Sequence, residues 1–359
     1  MRFRSFIFLL LSVGFHQLQA QIGTELSIPL TIQLTSIGNL LLKPAPNAKE
    51  YGLLTSNTAA VKQLENRTGL LIYNTENVKE KEHPPLTIGV LPTHKVELRT
   101  AQGDISFEDI NAPVTSRMAS GNVTVKGGKA NVSLQLQSGD ITVQQSQWQG
   151  TLQTRKGNIV LEDSPLLEAH APLGIVTHRY TEAGLKDKNQ LIQSFEKGVI
   201  EVTGAISAAN LQLWEGKIVL GGKSDNTYLS IRDKGDITIK QAGKRVEAYT
   251  KKGTIAVNAP LEFDYMFLTC EGGSVRLDLP AAFKGTVKIL SEVIGKEKPD
   301  VALSHFWQKE PPVFQPAETD EKGEIRPGYF LYRFEKSIGE STSMLLIQLK
   351  NAHLQINPL

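Results

Sequence analysis

The sequence predicts an all-β protein wound as a right-handed parallel β-helix, a solenoid of about 18 residues per coil. Three observations predict it. First, a glycine-centred unit recurs at fixed spacing: Gln102-Gly103-Asp104-Ile105, Ser120-Gly121-Asn122-Val123, Ser138-Gly139-Asp140-Ile141 and Lys156-Gly157-Asn158-Ile159 follow one another in steps of 18 residues. The phase returns at Gly198, Gly216, Gly235 and Gly253, in steps of 18, 19 and 18, with a looser copy at Gly273. Second, apolar residues alternate on both sides of each glycine, at +2 and +4 and again near −7, −5 and −3, as strands with one buried face do. Third, a unit this short cannot enclose a core of its own and has to share one with stacked neighbours. At about 4.8 Å per coil, roughly ten coils make a rod about 50 Å long. A left-handed hexapeptide helix also has coils of about 18 residues, but its apolar positions recur every six. Here the gaps across the two turns are five and seven. An antiparallel β-sandwich is the alternative, since short strands with frequent turn signals describe that class as well.

Along the chain, residues 1–20 read as a signal peptide. Arg2 and Arg4 precede the apolar run Phe6 to Val13, and Leu18-Gln19-Ala20 offers a small-residue cleavage site before Gln21. The run is shorter than the roughly 20 residues of a membrane span, so export to the periplasm, cell surface or exterior is expected. Residues 21–95 are expected to form an N-terminal cap and degenerate coils, with Gly69-Leu70-Leu71-Ile72-Tyr73 as a partial match. Residues 96–290 carry the solenoid repeats, interrupted over 164–195 by an irregular coil with a longer loop. Lys296-Glu297-Lys298-Pro299-Asp300, Pro311-Pro312 and Pro316 mark 291–340 as an exposed excursion. The phase recovers in Leu345, Ile347, Leu349, Leu354 and Ile356, which predicts a terminal coil over 341–359.

Composition narrows the function. Lys and Arg number 39 against 37 Asp and Glu, a balance that argues against a dedicated nucleic-acid binder. The single cysteine, Cys270, rules out an intrachain disulfide framework and Cys-rich metal sites, and its −3 position predicts burial. The histidines show no metal spacing and no Gly-x-Ser-x-Gly elbow is present, so no catalytic residue, metal or cofactor is assigned.

Stacking converts each repeat position into a column. The +1 column, Asp104, Asn122, Asp140 and Asn158, is a polar ladder in which an Asn amide between two Asp can donate to both carboxylates. Asp and Asn also suit the turn after glycine, and a weak cation or sugar-hydroxyl site is the functional counterpart. The −1 column gathers Lys156, Lys197, Lys234 and Lys252 with Arg155 adjoining, a row able to attract an anionic ligand, although Glu215 interrupts it. Lysines there also keep a flat β surface soluble. Trp214 follows the inward Leu213 and is expected to point outward, whereas Trp148 and Trp307 fall outside any common row.

The pattern Ser138-Gly139-Asp140-Ile141-Thr142-Val143 and its variants resemble the bacterial "putative adhesin" family, related to the solenoid heads of autotransporter-like adhesins. The resemblance covers about Val96 to Leu279 and the final coil. It implies an exported surface or periplasmic β-helix and transfers no catalytic or binding residue. The expected function is a non-enzymatic, adhesin-like or scaffold binding module at the bacterial cell envelope. Its expected partners are a glycan, lipopolysaccharide or another envelope protein, with no nucleic acid and no transmembrane segment. The alternative is a carbohydrate-active enzyme, a polysaccharide lyase or glycosidase, using a pair such as Asp104 and Asp140.

Overall fold

A computed structural model describes residues 31–37, 39–47, 51–54, 61–66, 69–74, 86–164, 167–185, 190–294, 301–302, 313–316, 318–319 and 325–358. The signal-peptide reading of residues 1–20, Trp307 and the Lys296–Asp300 and Pro311-Pro312 segments lie outside the described residues.

The chain is a parallel β-solenoid of about ten coils with about 18 residues in each. Each early coil contributes one strand before its glycine and one after. The strands before glycine, Lys95–Gln102, Val114–Ser120, Asn131–Ser138 and Gln149–Lys156, stack in parallel as one sheet. Those after it, Ile105–Glu108, Val123–Lys126, Ile141–Gln144 and Ile159–Glu162, stack as the other, and Ile141 pairs with Val123 on one side and Ile159 on the other. Every coil-to-coil pairing from Lys95 to Leu279 is parallel, which removes the antiparallel sandwich as an alternative. In the second half the two strands of a coil run on through the glycine as single bent strands, Gln190–Val202, Ile206–Leu220, Ser224–Ile239 and Ala242–Asn258.

The buried columns follow the period-two pattern. Ile105, Val123, Ile141 and Ile159 form one, and Phe107, Val125, Val143 and Leu161 form the next, all fully enclosed. They face Val132, Leu134 and Leu136 and their equivalents from the other sheet. Burying one such side chain is worth about 2–3 kcal/mol, and repetition multiplies it along the rod. The glycine is required by the corner between the sheets. Gly139 has φ of 132°, and a Cβ on it would run into the carbonyl oxygen of Gly121 in the coil below. The same approach recurs at Gly121, Gly157, Gly216, Gly235, Gly253 and Gly273, which is why the repeat announces itself through glycine.

Bulges shift the register locally, as between Leu213 and Glu215 and between Ile231 and Lys234, and over 164–195 the stacking changes more deeply. Gly174 stacks on Gly157, but Val176 then pairs with Gly198, so His178 stands against Leu161 on one side and Ile200 on the other. The register therefore advances by two residues across this coil. A one-turn helix, Glu182–Leu185, takes up part of the longer connection. The apolar interior divides at the same place, into a cluster spanning Leu40 to Val176 and another spanning Tyr180 to Ile356.

At both ends, sequence order and stacking order part company. Thr31–Ile37 and Leu40–Pro44 form a coil that lies between the later strands Gly69–Asn74 and Leu86–Val90 on one side and Lys95–Gln102 and Ile105–Glu108 on the other. At the far end, Met344–Lys350 and Ala352–Pro358 form a coil inserted between the earlier strands Tyr265–Cys270 and Gly273–Leu279 and the strands Gly285–Ile294 and Val301–Ala302. The segment 341–359 thus supplies a coil next to the end of the stack. Antiparallel strands cover the outer edges: Val61–Asn66 pairs with Gly69–Asn74, and Tyr329–Ile338 pairs with Gly285–Ile294. Within the stretch 291–340, expected to be an exposed excursion, that second pair buries Ser291, Tyr332 and Phe334, beside Val287 and Ile289 just before it. A reversed strand ends a parallel stack and shields its unpaired backbone from edge-to-edge association.

Candidate functional site at the glycine corner

The glycine corner is where side chains at positions −2 to +1 leave the two sheets, so each coil presents its corner residues on one ridge. The polar ladder runs along it. Asp104 Oδ1 accepts the Asn122 amide at 2.7 Å, Asn122 Oδ1 accepts the Asp140 amide at 3.1 Å, and Asp140 Oδ1 accepts the Asn158 amide at 2.7 Å. Asn39 begins the chain by accepting the Asp104 amide at 3.0 Å, and Asn158 continues it onto the Ile175 amide. Asp236 repeats the contact with the Thr254 amide at 2.8 Å. The side-chain oxygens therefore satisfy backbone N–H groups that the turn turns away from the sheets. Instead of an Asn amide bridging two carboxylates, each side chain holds the next coil. Among the described residues no group of three or more His, Cys, Asp or Glu is placed to hold a metal ion.

The basic row occupies the same ridge. Arg155, Lys156, Lys197, Lys234 and Lys252 are all exposed. Lys197, Glu215, Lys234 and Lys252 lie in direct register on four successive coils. Lys197 Nζ is 3.7 Å from Glu215, so that cation is shared with a carboxylate, whereas Lys234 and Lys252 are like-charged neighbours. Like charges directly opposite one another are unfavourable until a counter-charge arrives. Lys156 pairs with Ser138 on one side and is separated from Lys197 by the irregular coil.

Trp214 projects from this corner and is 57% exposed. Trp148 is fully buried, donates from Nε1 to the Ile110 carbonyl at 3.0 Å and meets Phe107 edge-on. Two further exposed apolar residues, Leu173 and Ile175, stand on the ridge beside Gly174. The repeat pattern does not single them out, because Gly174 follows Gly157 after 17 residues and lacks the polar residue before the glycine and the Asx after it. Cys270 points inward, and burial pushes its thiol up to about 11.

At the register break, His178 is fully buried. Its Nδ1 lies 2.7 Å from the Tyr180 hydroxyl, its Nε2 has no hydrogen-bond partner among the described residues, and the Phe195 ring sits 4.3 Å away. Burial drives its pKa from 6.5 down to about 3, so the folded state holds a neutral ring. Between pH 6.5 and 3 the unfolded chain takes up a proton that the folded chain refuses. Stability therefore falls with falling pH, by roughly 1.4 kcal/mol per unit from this residue. His178→Leu is expected to lose less stability than the native chain on going from pH 7 to pH 4.5, by about 2–3 kcal/mol in urea unfolding. Parallel losses in the two proteins would place the ring in contact with solvent.

A solenoid with a flat, repetitive outer surface and a corner ridge of polar, basic and exposed apolar side chains defines a stacked-repeat scaffold. The chain belongs to the Toastrack DUF4097 family, whose profile matches residues 75–293. No curated protein matches the chain. A solved structure described as a "putative cell adhesion protein" from Clostridium sporogenes is 8% identical over 93% of this chain and 94% of its own, with a TM-score of 0.15. At that score it carries no weight for fold or function. Among the described residues, no helix is long and apolar enough to cross a membrane.

Proposed function

We propose that the protein is an exported, non-enzymatic scaffold that acts as an adhesin-like binding module at the bacterial cell envelope. On this reading its basic glycine corner engages an anionic envelope component, a glycan or lipopolysaccharide. The observation that carries the reading is the in-register placement of Lys234 and Lys252, with Lys197 two coils before Lys234 and Lys156 and Arg155 beyond the irregular coil. Spaced at about 4.8 Å per coil, such cations meet successive charges of an extended polyanion, each contact weak and screened over roughly 10 Å in 0.1 M salt. The same two carboxylates that a hydrolytic reading would use, Asp104 and Asp140, are engaged on backbone amides of neighbouring coils.

Joint replacement of Lys156, Lys197, Lys234 and Lys252 by Gln is expected to abolish retention on an immobilised anionic glycan or lipopolysaccharide at low salt. The melting temperature should stay nearly unchanged, because all four side chains are exposed. Elution of the variant together with the native chain would make these lysines solubilising residues and overturn the reading.

A further inference from the structure

The basic ridge is also apolar, in a way that a soluble polyanion would not require. Leu173 is 65% exposed, Trp214 57% and Ile175 46%. Isolated exposed apolar side chains are ordinary on protein surfaces. These three, however, share one edge of the solenoid. Leu173 and Ile175 flank Gly174, which stacks on Gly157 next to Arg155 and Lys156. Val176 pairs with Gly198, which brings Ile175 beside Lys197 on the adjoining coil. Trp214 lies two residues before Gly216, between the coil of Lys197 and that of Lys234. Beyond Gly216 the exposed Lys217 continues the positive series, and Lys251 adjoins Lys252. Carboxylates stand among these cations at Glu196, Glu215, Asp233 and Asp236, with Glu215 already held by Lys197.

Aliphatic side chains gain nothing from a hydrated sugar polymer, but they gain from the boundary between lipid headgroups and acyl chains. Trp favours that same boundary, and Lys and Arg pair with headgroup phosphates. We propose that the glycine corner lays the solenoid flat against an anionic lipid surface. Leu173, Ile175 and Trp214 enter between the headgroups, and Arg155, Lys156, Lys197, Lys234 and Lys252 contact the phosphates. The inference rests on the reading of the basic row given above and names its partner. The interspersed carboxylates keep the association weak, reversible and sensitive to salt.

The test uses the full chain with vesicles of phosphatidylglycerol and phosphatidylcholine, vesicles of phosphatidylcholine alone, and dextran sulfate as a soluble polyanion. The native chain is expected to co-sediment with the anionic vesicles and not with the neutral ones, and its fluorescence to shift to the blue. Trp214→Phe should lose that shift while still binding. The pair Leu173→Ser and Trp214→Ser should reduce vesicle partitioning at least about tenfold while leaving dextran sulfate binding and the melting temperature unchanged. The lysine-to-glutamine variant should lose both ligands. If the serine pair partitions like the native chain, or the native chain binds dextran sulfate but ignores anionic vesicles, the lipid proposal is overturned and the basic-row reading stands. If the native chain binds neither, both fall.

Discussion

Deletion of residues 341–359 is expected to leave no stably folded protein, although it removes only about a twentieth of the chain. The segment provides the coil Met344–Pro358, which lies within the stack, so its loss strips partners from the coil on either side. Leu345, Ile347, Leu349, Leu354 and Ile356 are all buried, and at about 2 kcal/mol each their removal forfeits on the order of 10 kcal/mol. That matches the whole stability of a typical domain, about 5–15 kcal/mol. Tyr265–Cys270 and Gly285–Ile294 would also face each other across an open gap with unpaired backbone. Circular dichroism and solubility of the truncated chain check this. Soluble protein with a native melting curve would show that the coil is dispensable.

Ile141→Asp is expected to be nearly as damaging, and it tests the phase of the repeat at single-residue resolution. Ile141 is fully enclosed between Val123 and Ile159, where a carboxylate has no partner and costs several kcal/mol. Its neighbour Thr142 faces outward in a column with Thr124 and Val160 and is half-buried. Thr142→Asp should cost about 1 kcal/mol or less, through weaker packing on the pleated surface. The drop in melting temperature should therefore be several times larger for Ile141→Asp. Equal drops would mean that inward and outward residues have been exchanged.

Where backbone geometry repeats, the sequence was legible. A glycine that cannot bear a Cβ beside the carbonyl of the coil below, followed by Asx and alternating apolar residues, fixed the position of Ile141, Val143, Leu134 and Trp214 in advance. The Asx column was visible, but its hydrogen-bond partners were not. Sequence spacing brings side chains together in a ladder without saying that a turn leaves amides for them to accept. The order of coils at the ends was not legible either. Leu345 and Ile347 reveal an inward face, yet nothing in that alternation says that the face meets Leu268 and not Ile289 alone. Leu173 and Ile175 escaped notice for a third reason. They flank Gly174, which stacks on Gly157 after 17 residues and has neither a polar residue before it nor an Asx after it, so the 18-residue pattern does not mark this corner.

The displaced order of the end coils bears on how the chain acquires its shape as it is made. Strands Gly285–Ile294 and Tyr265–Cys270 are synthesised well before Met344–Lys350, which has to come between them. A rod that simply added coils in order of appearance would be complete at every step, each new layer resting on the last. Here the far end stays unfinished until residues 344–358 arrive, and only then does the outer antiparallel pair of 285–294 with 329–338 find its seat. The first coil has the mirrored constraint, since Thr31–Ile37 waits for both Gly69–Asn74 and Lys95–Gln102. Non-local pairings of this kind slow folding. They also tie the closing of each end to strands far apart in the sequence, so both ends of the rod depend on segments that lie outside the regular repeats.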